Sequence, residues 1–212
     1  MALLSSSESS PDSTRATTPE SPGLIVTSPY TELEHQLDLS TLDREDALFA
    51  QALQNLRPVC DDYATAPYLE SFNWDEVLDK LRSLADGAGT FKETTFFIVA
   101  FRSRVPPTTI YEDLGILDKV AHKEAVKCGG FLKYWFGTPD AEGKNLATCV
   151  WRSRGDAIRA GHTPGHRKAA RATAAMYAEW KIDRHRLVVG EGARRWRLVD
   201  WRDEDEGSVW GL

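Results

Sequence analysis

The stretch from Phe131 to Trp180 constrains the fold more than any other part of the chain. FLKYWF and NLATCVWRS are runs dense in aromatic and β-branched residues, separated by a loop carrying Pro139-Asp140 and Gly143. That is the composition of two paired strands around a turn. A Gly- and Pro-broken basic turn follows, then a helical pattern opened by Thr163-Pro164. A Thr cap with Pro at the first helical position is a favoured helix start, so a long helix is expected from Pro164 to about Trp180.

Upstream and downstream segments extend this unit. TTFFIVAFRSR reads as a buried strand broken by Pro106-Pro107. A helix is expected from about Thr109 or Tyr111 to Lys127, with Leu114, Leu117, Val120 and Ala121 inward and Gly129-Gly130 ending it. HRLVV supplies a fourth strand, and RRWRLVDW adds an edge strand. The order β-α-β-β-α-β is the ferredoxin-like α+β arrangement, an antiparallel sheet with helices on one face. Because FLKYWF and NLATCVWRS are apolar on both alternating faces, something must cover the second face, either the N-terminal helices or a second subunit.

The N-terminal part offers such helices. One is expected from about Leu42 to Leu56, stopped by Pro58, and another after Asn73, closed by Asp86-Gly87-Ala88-Gly89. The chain then divides into a helical extension (24–89), opened by an edge strand at Leu24 to Val26, a ferredoxin-like domain (90–201) and an acidic tail (202–212). Residues 1–23 are rich in Ser, Thr and Pro and are expected to be disordered, having little to bury against the entropy of ordering.

Charge is distributed unevenly. Residues 1–95 hold 6 Lys+Arg against 17 Asp+Glu, and residues 96–212 hold 20 against 15. Either an acidic extension packs on a basic domain, or the basic half meets an anionic ligand. No basic run is interleaved with stacking aromatics, which argues against nucleic acid. Three widely spaced cysteines, Cys60, Cys128 and Cys149, give no disulfide framework or zinc pattern and point to a reducing compartment. No apolar run approaches the ~20 residues that span a bilayer. The N-terminus lacks secretory and mitochondrial signals, so the cytosol is expected, with the nucleus left open.

YWFGTPD, NLATCVWRS, GHRKA and MYAEWK together resemble an uncharacterised protein family of filamentous and fission fungi, over about Tyr63 to Trp201. More distantly, the element order is similar to the dimeric α+β barrel superfamily. That likeness implies a cleft between sheet and helices, pairing of two copies, and chemistry of the cofactor-independent oxygenase or cyclase kind. A fold does not fix a function.

The residues suited to chemistry gather at the same junctions. His162 and His166 flank the turn into the last helix, where a helix N-terminus favours a neutral imidazole able to move a proton. They lack a third ligand nearby in sequence, and no metal site is expected. Arg152 and Arg167 stand where a helix N-terminus could help to clamp an anion. Tyr134, Trp135 and Trp151 lie on adjacent strands and would form an aromatic wall with Tyr134 as its polar handle, or else a core or dimer interface. His122 is a further polar group. GxGxxG, GxxxxGK[ST] and GxSxG are absent, so no cofactor is expected. Two functions follow: a small-molecule enzyme or ligand-binding protein using Tyr134, His162, His166 and Arg152 on a small anionic or aromatic ligand, or a non-catalytic homodimeric scaffold.

Overall fold

The computed structural model describes residues 23–173 and 175–202. Nearly all of the expected disordered tail and of the acidic tail lies outside the described residues. The chain forms β1 (Leu24–Ile25), β2 (Leu37–Asp38), α1 (Arg44–Ala52), α2 (Tyr68–Ser71) and α3 (Trp74–Ala88). It continues with β3 (Thr94–Arg104), α4 (Tyr111–Cys128), β4 (Phe131–Phe136), β5 (Lys144–Trp151), α5 (Arg154–Gly161), α6 (Pro164–Thr173), β6 (Glu179–Val189) and β7 (Trp196–Asp200).

The main sheet is antiparallel in the order β4-β5-β3-β6-β7. Leaving out the outer β7 hairpin strand, β6-β3-β5-β4 is the ferredoxin-like order. β3 sits at its centre because its alternation is apolar on both sides. Phe96, Ile98 and Ala100 belong to one buried cluster, while Phe97 and Val99 belong to another.

The first cluster is shared with the N-terminal extension. In α3, Trp74, Val77, Leu78, Leu81 and Ala85 recur at helical spacing and are buried. Phe49 of α1 packs on Phe96, with ring centroids 4.1 Å apart. Trp135 lies edge-on to Tyr63 (5.3 Å) and to Phe72 (5.0 Å). Arg102 of β3 donates to the carbonyls of Ala64 (2.5 Å) and Ala66 (2.8 Å) and pairs with Asp183 (3.2 Å), which fixes the 63–66 loop to the sheet. The chain's own extension therefore covers the face that a second subunit was considered for. β1 pairs with β2 in a separate two-stranded sheet rather than joining the main one. The β4 edge is met at one point, where Tyr134 N–H donates to the Thr27 carbonyl (2.9 Å).

Two expectations are corrected. The last helix ends at Thr173, not Trp180, and Glu179 and Trp180 open β6. The reason is tertiary: all eleven residues of β3 find partners in β6, Trp180 opposite Ser103 and Glu179 opposite Arg104, and a continued helix would leave that edge unpaired. In β4, a bulge between Phe131 and Lys133 breaks the simple alternation. Phe131 thereby shares a cluster with Tyr134, while Leu132 shares one with Trp135.

Since Trp135 is held by the chain's own Tyr63 and Phe72, Trp135→Ala should lower the unfolding free energy by about 3 kcal/mol. Urea denaturation at several protein concentrations checks this. A loss that depends on concentration would place Trp135 between subunits instead.

Candidate functional site

The second face of the sheet does not pack tightly against the helices. It leaves a cleft of about 1220 Å³. The floor is a set of cross-strand rows: Phe131, Trp151 and Phe97 in one, Tyr134, Cys149, Val99 and Arg184 in the next, and Phe136, Ala147, Phe101 and Ile182 in a third. The middle strands contribute Ala147, Cys149 and Val99, smaller than the aromatics around them. The roof is made of Leu114, Asp118, Ala121, His122 and Ala125 from α4, with His166, Ala169 and Thr173 from α6. Small residues in the centre of both layers leave the space.

α6 approaches α4 closely at Gly165, where an added Cβ would lie 2.7 Å from Glu124 Oε2 and 2.8 Å from Val120 Cγ1. Glu124 accepts the Gly165 N–H (2.8 Å), so the helix is capped from α4. Thr163, the expected cap, donates its hydroxyl back to the Ala160 carbonyl (2.8 Å). This arrangement aims the first turn of α6, and His166 with it, over the cleft.

The polar end of the cleft centres on Asp118. Tyr30 donates its hydroxyl to one carboxylate oxygen (2.5 Å), and Tyr134 donates to the other (2.8 Å). Burial pushes the Asp118 carboxyl above its ordinary range, against the two tyrosine hydrogen bonds. Burial and the neighbouring carboxylate raise both tyrosine hydroxyls, which stay protonated. Burial outweighs the pull of Asp118 and Glu124 on His166 and keeps its imidazole neutral further down the pH scale than usual. His166 Nδ1 is buried without a hydrogen-bond partner.

Behind these groups lies a histidine pair. His35 Nδ1 and His122 Nδ1 are 2.9 Å apart, so one carries the proton and the other accepts it. Burial, with His35 adding to it, lowers His122 to about 3. The segment carrying Tyr30 and His35 is tied to α4 by the Lys119–Glu32 and Lys123–Glu34 ion pairs.

The structure brings together Tyr134, His166 and Trp151 of the residues singled out in the sequence, and separates the others. Trp135 is on the opposite face of the sheet, because its register partner is Thr148 rather than a cleft residue. His162 is exposed at the turn between α5 and α6, and Arg167 is exposed on α6 with its side chain away from the cleft. Arg152 reaches Asp156 through Nε (3.0 Å) and Nη2 (2.9 Å), where Ser153 also donates (2.6 Å). Asp156 is buried against Gly130, at which an added Cβ would lie 2.3 Å from the Asp156 carboxyl carbon. Arg152 therefore neutralises a buried carboxylate and is not free to clamp a ligand. Val120, expected inward, is exposed.

Asp118 and Tyr30 were missed. Asp118 had a readable signal: it lies four residues after Leu114 and four before His122, a charge on the inward stripe of an amphipathic helix. Tyr30 had none, since it reaches the site from 88 residues away. Among the described residues, no group of three His, Cys, Asp or Glu side chains is placed to hold a metal. No helix among them is long and apolar enough to cross a membrane.

Two outcomes follow. Arg152→Ala removes the two-pronged partner of Asp156 but leaves Arg159 and Ser153 on the carboxylate, so it should cost only about 1 kcal/mol in chemical denaturation. Second, the unfolded chain takes up a proton at His122 near pH ~6.5 while the folded chain does so only near 3. Protonation thus favours unfolding between those values. Stability should fall as pH drops from ~6.5 toward 3, by about 1.4 kcal/mol per pH unit for this histidine. His122→Gln should flatten the slope of unfolding free energy against pH, and an unchanged slope would contradict the assignment.

SnoaB, a cofactor-independent oxygenase from Streptomyces nogalater, is 17% identical, with 41% of this chain and 89% of that one covered at a TM-score of 0.36. A dimeric ferredoxin-like protein from Thermobifida fusca is 13% identical, covering 43% of this chain and 90% of that one at 0.35. At these scores neither bears on activity or assembly. The sequence relationship is stronger. UPF0643 protein PB2B2.08 of Schizosaccharomyces pombe is 38% identical over 176 residues, 79% of this chain and 80% of that protein. A family model described as PB2B2.08-like matches residues 26–200, and the chain belongs to that family.

Proposed function

We propose that the protein is a small-molecule enzyme or ligand-binding protein that works in the cleft between sheet and helices, with His166 and Tyr134 as its reactive polar groups. The observation carrying this reading is the buried His166 Nδ1, which has no protein partner and belongs to a residue lining a large apolar cavity. Buried polar atoms are normally paired, and an unpaired one on a residue that lines a cavity suits a ligand. A neutral imidazole in an apolar chamber can accept a proton from a bound molecule. That is the type of step a cofactor-independent oxygenase- or cyclase-like reaction calls for. Trp151 and Phe131, edge-on at 5.2 Å, would form an apolar wall for the ligand. We place this activity in a reducing compartment, the cytosol or nucleus, consistent with three free cysteines. A homodimeric scaffold would need a surface other than the Trp135 face, which the extension already covers.

Native mass spectrometry of the protein purified from its own host tests the reading. A retained small molecule should be lost in His166→Ala, while the thermal midpoint moves by only a few degrees. Retention that survives both His166→Ala and the cleft-filling Ala169→Phe would overturn it.

A further inference from the structure

Resting on the cleft reading, we propose that the polar end of the cleft recognises a hydrophobic amine, its ammonium group seated at Asp118 between the hydroxyl oxygens of Tyr30 and Tyr134. The abundance of arginine in this half of the sequence suggests an anion instead. The placement of charges points the other way.

Asp118 is the one formally charged residue at this end of the cleft among the described residues lining it. The others, Arg154, Asp183, Arg184 and Asp200, belong to β6, the end of β7 or the start of α5. β6 is three strands away from β4 and Tyr134. Lys119 and Lys123, on the same helix as Asp118, are engaged by Glu32 and Glu34. Arg152 is engaged by Asp156. An anion entering here would meet a carboxylate, and the neighbouring Lys119 is already held by Glu32.

The hydrogen-bonding inventory agrees. Each tyrosine has a single O–H and uses it on Asp118, so what remains on Tyr30 and Tyr134 is acceptor lone pairs. The carboxylate oxygens are acceptors, and a neutral His166 can offer its unpartnered Nδ1 in the same way. The site therefore asks its ligand for donors. An ammonium group has three donors and no acceptor, and it brings the positive charge that a buried carboxylate lacks. A neutral alcohol supplies one donor and no charge.

The surroundings are aromatic, as cation recognition favours. Tyr30 and Phe136 have centroids 6.3 Å apart, and Tyr134 and Phe136 are 5.5 Å apart. The Lys119 ammonium stands 5.8 Å from the Tyr30 ring centroid, so this ring already accepts a cation within the protein. The apolar floor beyond the ring cluster would take the hydrophobic body of the ligand.

One flat scaffold in three charge states separates the alternatives. Tryptamine, tryptophol and indole-3-acetate carry an ammonium, a hydroxyl and a carboxylate on the same indole, and calorimetric titration of each into the full chain at pH 7 reads the preference. Tryptamine should bind at least tenfold more tightly than tryptophol, with indole-3-acetate weakest. Asp118→Asn should bring tryptamine down to the level of tryptophol. The wild-type series stands without that variant if it fails to fold. Equal binding of tryptamine and tryptophol, or preference for indole-3-acetate, overturns the amine assignment. If Ala169→Phe then abolishes the binding, the cleft reading survives. Failure of all three probes to bind overturns both.

Discussion

The structure depends on β3 being apolar on both faces. Its eleven residues are bonded to β6 along their whole length and to β5 along most of it, so the strand cannot shift without breaking two ladders. Phe96, Ile98 and Ala100 oblige the N-terminal extension to pack on one side. Phe97, Val99 and Phe101 present the other side to the helices and the cleft. A strand with one polar face would have needed only one of these two coverings.

The two faces are solved differently. Against the extension, large side chains interlock: Phe49 on Phe96, Trp135 with Tyr63 and Phe72, and the guanidinium of Arg102 on loop carbonyls. The uneven charge of the chain is met on the other side, where acidic residues of the N-terminal segment pair with basic ones of α4 at Lys119–Glu32 and Lys123–Glu34. On the cleft side, alanines in α4 and α6 face Ala147, Cys149 and Val99, and the layers cannot fill the space between them. The protein thus concentrates its stability on one side of the sheet and keeps room on the other.

The polar end of the chamber depends on a residue drawn from outside the ferredoxin-like unit. Tyr30 arrives on a segment that passes the β4 edge and lies along α4, and its hydroxyl completes the set of donors around Asp118. Without Tyr30, one oxygen of a buried carboxylate would lose its donor, which is costly in an apolar setting. The extension therefore covers one face of the sheet and also finishes the site on the other.

Much of the architecture was legible in the residues. The alternation of TTFFIVAFRSR, the Gly129-Gly130 stop, the FLKYWF and NLATCVWRS pairing and the HRLVV strand specify an antiparallel ferredoxin-like sheet, because strand and helix periods are local properties. Tertiary structure decided the rest. The end of α6 yielded to the open edge of β3, which claimed Glu179 and Trp180 for pairing. The β4 bulge put Phe131 on the face of Tyr134, and a bulge leaves no mark in a hydrophobic pattern, whereas Trp135 takes the far face by ordinary alternation with Tyr134. Arg152 looked like a ligand clamp until Asp156 was found buried within its reach. The sequence by itself determined which segments are strands and helices and that both sheet faces must be covered. Only the folded chain decided which charges meet, because Tyr30 and Asp118 become neighbours through packing and not through spacing.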